Sequence, residues 1–512
     1  MAQSDPIESY NSLMSKYKDL TILLSAESVI QWDMETKMPP GAINLRSEQL
    51  ALLSTIDHKM STDPEMGVLL GKVIDHAAYA DFSEVQKRNI YLIKKNYDEK
   101  TKLPDKLVAE MAKQQVIAYN TWKKAKAAKD FSIFRPELTR MFDLKMESAD
   151  ILKGVKGSKT YYDAMIDLFE SKMDEDTIAK TFNTLKSGLK PIIEKCVSSK
   201  RQPDMSIVSH RVPVDIQEKL SKSLVKYIGY DISSDEAKGR IDETEHPFTN
   251  GYYDDVRITT HYKEDEFTSS LFSVLHEGGH ALYEQNLKRE WMYQPVGSAC
   301  SYGFHESQSR FVENVVGRSR EFWEYYLPEL KRITSSALPG IELEPLLRAV
   351  NAVRPSKIRV EADEVTYSMH IIIRFELERE LFAGKLSIDE LPQVWNQKYM
   401  DYLGMDIQDD TEGVMQDVHW AQGYFGYFPS YALGNIYGGQ IVNRMQKDLP
   451  DWRARIAEGK FSEILQWLIN NLHEKSCLYD PIDMLIKVTG EGINSKYFID
   501  YLDRKYSEIY GY

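Results

Sequence analysis

Apolar positions recur every three or four residues through most of the chain, the spacing that lays one stripe along an α-helix. Between residues 5 and 35 the stripe is Tyr10, Leu13, Tyr17, Leu20, Leu23 and Leu24, and it stops near Met38-Pro39-Pro40-Gly41. Residues 84–128 read as two long helices broken at Leu103-Pro104, because proline disfavours helical backbone in the residue before it. Asp174 to Val197 repeats the pattern with acidic residues in its first turn. Residues 246–261, HPFTNGYYDDVRITTH, depart from it. After a run of turn formers, Val256, Ile258 and Thr260 alternate with Arg257 and Thr259, and period two predicts a short strand or small sheet. A strand there is a natural edge for an extended peptide to pair with. No internal repeat or Pro/Gly/Ser-rich linker divides the chain. Residues 1–512 are therefore expected to form one mainly α body with a small β-sheet.

Composition narrows the partners. The 512 residues are 42% hydrophobic and 28% charged, ordinary for a globular protein, and the net charge of −14 argues against nucleic acid, whose phosphates need a basic surface. The cysteines, Cys196, Cys300 and Cys477, are few, odd in number and far apart, which suits a reducing cytoplasm better than a disulfide framework. The N-terminus lacks the basic and apolar regions of a secretory signal. No run approaches the roughly 20 apolar residues that span a membrane, so no membrane association is expected.

The chemistry concentrates in SSLFSVLHEGGHALYEQ, residues 269–285. Ser269 or Ser270 is positioned to cap the start of a helix. His276 and His280, four apart, share one face of that helix, and Glu277 sits beside them. HExxH supplies two nitrogen ligands for a metal and a general base for its water. Leu271, Phe272, Val274, Leu275, Ala281 and Leu282 flank the motif, so the helix should be buried, and buried histidines need partners such as a divalent cation. Gly278 and Gly279 each cost about 1 kcal/mol of helix stability against alanine, which makes sense if something approaches the backbone closely there. A catalytic metal needs a third protein ligand. No further histidine continues the motif along this helix, so a glutamate from a second helix is the remaining common solution. Glu306, in SYGFHESQSRFVENVVG, is the best candidate. Glu284 and Glu313 are alternatives, and His305 is either a ligand or a donor to substrate.

Several segments together resemble the HExxH metallocarboxypeptidases typified by carboxypeptidase Taq. In order they are His246-Pro247-Phe248, Asp255-Arg257-Thr259, HEGGH at 276–280, His305-Glu306-Ser307, IRVEAD at 358–363 and GVMQDVHW at 413–420. Trp32-Asp33 to Gly41, with Arg46, Glu48 and Gln49, also looks family-like. The resemblance implies a nearly all-helical body with a long deep groove and a homodimeric assembly. It implies release of single residues from peptide C-termini with broad specificity, and a zinc ion that cobalt can replace. It also implies His276, His280 and Glu306 as ligands.

Roles follow for the remaining residues. Glu277 is the expected general base. His419, with Tyr427 or Tyr424 from GYFGYFPSY (423–431), is the expected oxyanion donor, the tyrosines by analogy with related helical zincins. Arg359 suits a terminal carboxylate because its planar fork pairs bidentately; its alternative is a structural salt bridge to Asp363. The resemblance places Arg257 at the closed end of the groove, oriented by Asp255, with His246 holding the strand near substrate. Asp417 and Gln416 are expected to orient His419 or a ligand. Two other readings stay open: an oligopeptidase or dipeptidase with the same chemistry, and a non-catalytic helical scaffold.

Overall fold

The computed structural model describes residues 5–335 and 337–512. Six helices open the chain: α1 (Pro6–Thr36), α2 (Ile43–Ser61), α3 (Pro64–Ile74), α4 (Glu84–Lys102), α5 (Asp105–Ala128) and α6 (Phe131–Lys156). Their boundaries have local causes. Asp5 caps α1, accepting from the Ile7 N–H at 2.9 Å, with Pro6 in the first turn. A capping box of Ser83 and Gln86 starts α4, and Leu103 leaves the helix in extended backbone just before Pro104, as expected for a residue preceding proline. Next come α7 (Tyr161–Ile166), α8 (Glu175–Ser198), capped by Asp174, and α9 (Val214–Ile228).

The non-helical stretch forms a three-stranded sheet of β1 (Ile241–Glu243), β2 (Thr249–Tyr252) and β3 (Asp255–Thr260). The order is β1-β3-β2, with β1 parallel and β2 antiparallel to β3. Val256, Ile258 and Thr260 of β3 are all buried. The chain then enters α10 (Phe267–Gln285) and α11 (Tyr302–Arg310), followed by a π-turn at Phe311–Val316. The rest is helical: α12 (Arg320–Thr334), α13 (Leu343–Val350), α14 (Tyr367–Phe382), α15 (Leu391–Leu403), α16 (Pro429–Asp448), α17 (Trp452–Ala457), α18 (Phe461–Asn471), α19 (Pro481–Thr489) and α20 (Lys496–Tyr510). The mainly α expectation holds.

One large apolar core runs from Ala118 to Tyr510, and a smaller one joins Tyr10 and Leu13 to Met66, Val73, Phe82 and Ile93. Buried Asn89 ties the smaller core to the site region. Its amide donates to Tyr10 Oη and Gln294 Oε1, and its Oδ1 accepts from the Val296 N–H. The three cysteines are free and buried. Among the described residues no helix is long and apolar enough to cross a membrane.

Candidate metal centre

Helix α10 begins earlier than its serines suggested. Phe267 opens it, Glu266 precedes it without a side-chain cap, and Ser270 lies inside the first turn with its Oγ 2.7 Å from Gln217 Oε1. The two glycines do mark a close approach. A Cβ on Gly279 would stand 2.6 Å from the Gln308 carbonyl oxygen and 2.7 Å from Ser309 Cα, so the backbone of α11 rests directly on α10. From the other side a Cβ on Gly434 of α16 would lie 2.7 Å from Glu306 Cβ. Wedged between these two helices, α11 points Glu306 at the histidines of α10.

Glu306 Oε2 lies 3.6 Å from Nε2 of His276 and 3.6 Å from Nε2 of His280. That is too long for a hydrogen bond and close to the roughly 3.4 Å that separates two ligands in a tetrahedral shell of radius about 2.1 Å. The three donor atoms all lie within 4.8 Å of one another. The outer nitrogens are already engaged. His276 Nδ1 faces Glu313 Oε2 at 2.9 Å. His280 Nδ1 meets His305 Nδ1 at 2.6 Å, and His305 Nε2 reaches Glu284 Oε1 at 2.7 Å. If each Nδ1–H of the two ligands donates outward, both Nε2 lone pairs are left to point at one spot, the tautomer a divalent cation requires. The residues present therefore fit such an ion. Glu284, Glu313 and His305, the alternative ligands, stand behind the histidines and are not among the three converging donors.

Arg310, four residues on from Glu306, donates from Nε to Glu306 Oε1 at 2.7 Å and from a terminal nitrogen to Glu313 at 3.2 Å. Burial opposes the Glu306 charge, but Arg310 and the histidines hold its carboxyl far below the usual range. Burial likewise opposes the charge on Glu313, and Arg310 with His276 brings that carboxyl down to about 2. Desolvation pushes His280 down to about 3, keeping it neutral. Glu277 is 7% exposed, and desolvation raises its pKa. Thr249 of β2 donates to Glu277 Oε2 at 2.7 Å, so the sheet fixes the carboxylate.

The second polar cluster surrounds Arg359, 7% exposed in a short 3₁₀ turn at Arg359–Glu361. Its Nε donates to Asp417 Oδ1 at 2.8 Å, and a terminal nitrogen donates to Tyr367 Oη at 3.2 Å. Fully buried Arg374 donates to the other oxygen, Asp417 Oδ2, at 2.7 Å. Asp417 thus holds two arginines and does not hydrogen-bond His419. Gln416 accepts from the Arg359 N–H at 2.9 Å and donates to the carbonyls of Lys357 and Glu412, so it too serves Arg359. Asp363 is not the partner of Arg359. It accepts from the N–H groups of Arg354, Val365 and Thr366, closing the turn before α14. Tyr367 links both clusters, since the Arg310 guanidinium lies 4.2 Å from its ring centroid.

Desolvation takes His419 down to about 3, with Arg359 adding to the effect. Its Nε2 sits 3.2 Å from Tyr431 Oη. Tyr427 packs with ring centroids 5.5 Å from His419 and 5.1 Å from Tyr431. Tyr424 is 43% exposed, its ring 6.3 Å from that of Tyr427; it meets His419 through the backbone, its N–H donating to the His419 carbonyl at 2.9 Å. Tyr431 is the hydroxyl sequence reasoning missed, although it lies four residues beyond Tyr427, on the same face of a helical turn. Arg257 makes a two-pronged pair with Asp255 at 2.7 Å on each arm, and its guanidinium covers Trp32 of α1. His246 is exposed just before β2. Thr249, Arg310 and Arg374 were also missed. Only Arg310 carried a local signal, the i, i+4 spacing of an acid and a base on one helix.

Two histidines on one helix, meeting a glutamate from a second helix beside a buried carboxylate, define a helical metallopeptidase of the HExxH class. Within that class the chain belongs to the carboxypeptidase Taq (M32) metallopeptidases, whose family profile matches residues 12–506. It is 39% identical to thermostable carboxypeptidase 1 of Thermus thermophilus, over 99% of this chain and 100% of that one. It is 38% identical to carboxypeptidase 1 of Bacillus subtilis, over 95% of each. The crystal structure of an M32 carboxypeptidase from Deinococcus radiodurans superposes with a TM-score of 0.94 at 32% identity, covering 99% of this chain and 100% of that one.

Proposed function

We propose that this protein removes single residues from the free C-termini of peptides with broad specificity, as one catalytic unit holding a zinc ion that cobalt can replace. Bound at His276, His280 and Glu306, the ion would polarise the scissile carbonyl and lower the pKa of a water. Glu277 accepts the proton of the attacking water and passes it to the leaving amine. Burial makes its carboxylate the stronger base, and Thr249 keeps one oxygen in place. His419, neutral, and the hydroxyls of Tyr431 and Tyr427 are the nearby donors for the developing oxyanion. Arg257 with Asp255 is read as the closed end of the groove, and His246 as holding the strand near substrate. A homodimer and a cytoplasmic setting complete the reading.

The observation that carries the exopeptidase assignment is the sharing of Asp417 by Arg359 and Arg374. One buried carboxylate for two guanidiniums leaves a positive charge unmatched, and a substrate's terminal carboxylate supplies the missing partner. Tyr367 fixes the distance from that charge to Glu306 through Arg310, which sets which bond is presented for attack. The test is mass spectrometry of a peptide and its C-terminal amide after incubation with zinc-loaded protein. A ladder shortened one residue at a time from the free acid, with the amide nearly untouched, is expected. Internal cuts, or equal digestion of both, would make the protein an oligopeptidase instead.

A further inference from the structure

After α11 the backbone widens into the π-turn Phe311–Val316. Such turns recur at functional sites, because the extra residue re-aims a side chain. Here the re-aimed side chain is Glu313, the carboxylate behind His276. The turn is gripped from far along the chain. The Asn314 carbonyl accepts from Lys505 Nζ at 3.2 Å, and Tyr501 Oη lies 3.3 Å from it, both on α20. Lys505 also donates to Glu364 Oε2 at 2.7 Å, and Tyr501 and Tyr506 donate to the same carboxylate at 2.9 and 3.0 Å. The side chains of Lys505 and Glu364 are 13% and 2% exposed. The side chain of Asn314 accepts from Arg318 Nε at 3.0 Å, and Arg318 reaches Glu313 Oε1 at 3.3 Å. Polar contacts thus run unbroken from Lys505 through Asn314, Arg318 and Glu313 to His276.

A buried ion pair is costly, and an apolar pair of similar volume would hold α20 in place as well or better. What an apolar pair cannot do is donate to a main-chain carbonyl. We infer that Lys505 is a positioning residue for the metal centre. Its ammonium, balanced by Glu364, fixes the π-turn against α20 and so holds the carboxylate that orients His276. The inference rests on the proposed metal centre, and its test separates the two.

The double variant Lys505→Met/Glu364→Gln leaves no uncompensated buried charge, so it keeps the fold. Loaded with Co²⁺, it should lose the ion to a chelator roughly 10–100-fold faster than wild type, the range for partners that orient a ligand, and its visible absorption should shift. Lys505→Arg should restore much of the wild-type behaviour. In a Glu313→Gln background the double change should add little, because its effect passes through Glu313. A wild-type spectrum and loss rate in the double variant, or an undiminished effect in the Glu313→Gln background, would overturn the inference and leave the metal centre standing. Failure of the wild-type protein to take up one Co²⁺ per chain would overturn both.

Discussion

Two buried charge clusters face each other across Tyr367, and they are unbalanced in opposite directions. At the histidines, Glu277, Glu306 and Glu313 gather with Arg310 and Arg318, formally one negative charge too many. Around Asp417, Arg359 and Arg374 share a single carboxylate, formally one positive charge too many. Removing charges from water costs several kcal/mol each unless they are paired. A fold that leaves one unpaired in each cluster keeps a place for an ion and for an anion. In the proposed reading the first cluster would take a divalent cation held by three protein donors, and the second the substrate's terminal carboxylate.

The strongest way to break this comparison acts at the negative end. Glu277→Gln keeps shape and ligands but cannot accept a proton. Turnover should fall roughly 10²–10⁴-fold while metal analysis still finds one ion per chain. Retained activity in metal-replete Glu277→Gln protein would remove Glu277 from the chemistry. At the positive end, Arg359→Ala leaves Asp417 paired with Arg374, so the fold should survive. It should lose about 2–5 kcal/mol of transition-state stabilisation on free-acid peptides and much less on the matching amides. Arg359→Lys should recover only part of this, lacking the planar fork. An equal fractional loss of kcat/KM on acid and amide would mean that Arg359 supports the fold and does not read the terminus.

The smallest effect comes from a cluster of neutral donors. Glu378 accepts from Trp420 Nε1 at 2.7 Å, Tyr162 Oη at 2.8 Å and the Gly426 N–H at 2.9 Å, and burial pushes its carboxyl up to about 7 from an ordinary 4.5. Between those values the folded chain binds a proton that the unfolded chain has released. This contribution is therefore complete below pH 4.5 and is lost as pH rises through 7. It is on the order of 3 kcal/mol, a few degrees of Tm. Glu170, also pushed up to about 7 by burial, should add a similar decline. Glu378→Gln should flatten Tm between pH 5 and pH 8 by its own share; a profile parallel to wild type would show that Glu378 does not titrate there.

What the sequence displayed was mostly local. Helix stripes, the break at Pro104, the period-two strand and the paired histidines depend on neighbours within a turn or two, and these elements stand where they were expected. Glu306 was accessible because the lack of a third histidine called for a glutamate on a nearby helix. The pairing of Asp417 with Arg359 and Arg374 was not, because it joins segments that only packing brings together. Nor was Thr249, since which face of β2 meets Glu277 depends on how the sheet docks on α10. Ser270 misled because a capping residue type near a helix start also suits a buried contact, here with Gln217.

The contact at Gly279 limits how this enzyme can be made more heat-resistant. Exchanging glycine for alanine inside a helix is a common stabilising change, worth up to about 1 kcal/mol. At Gly154 of α6, where an added methyl meets nothing within 4 Å, that gain is available. At Gly279 the same methyl would press on the Gln308 carbonyl and lift α11 from α10, moving Glu306 off the histidines. Helix α10 must keep Gly279, and added thermal tolerance has to come from positions such as Gly154, where the new methyl has room.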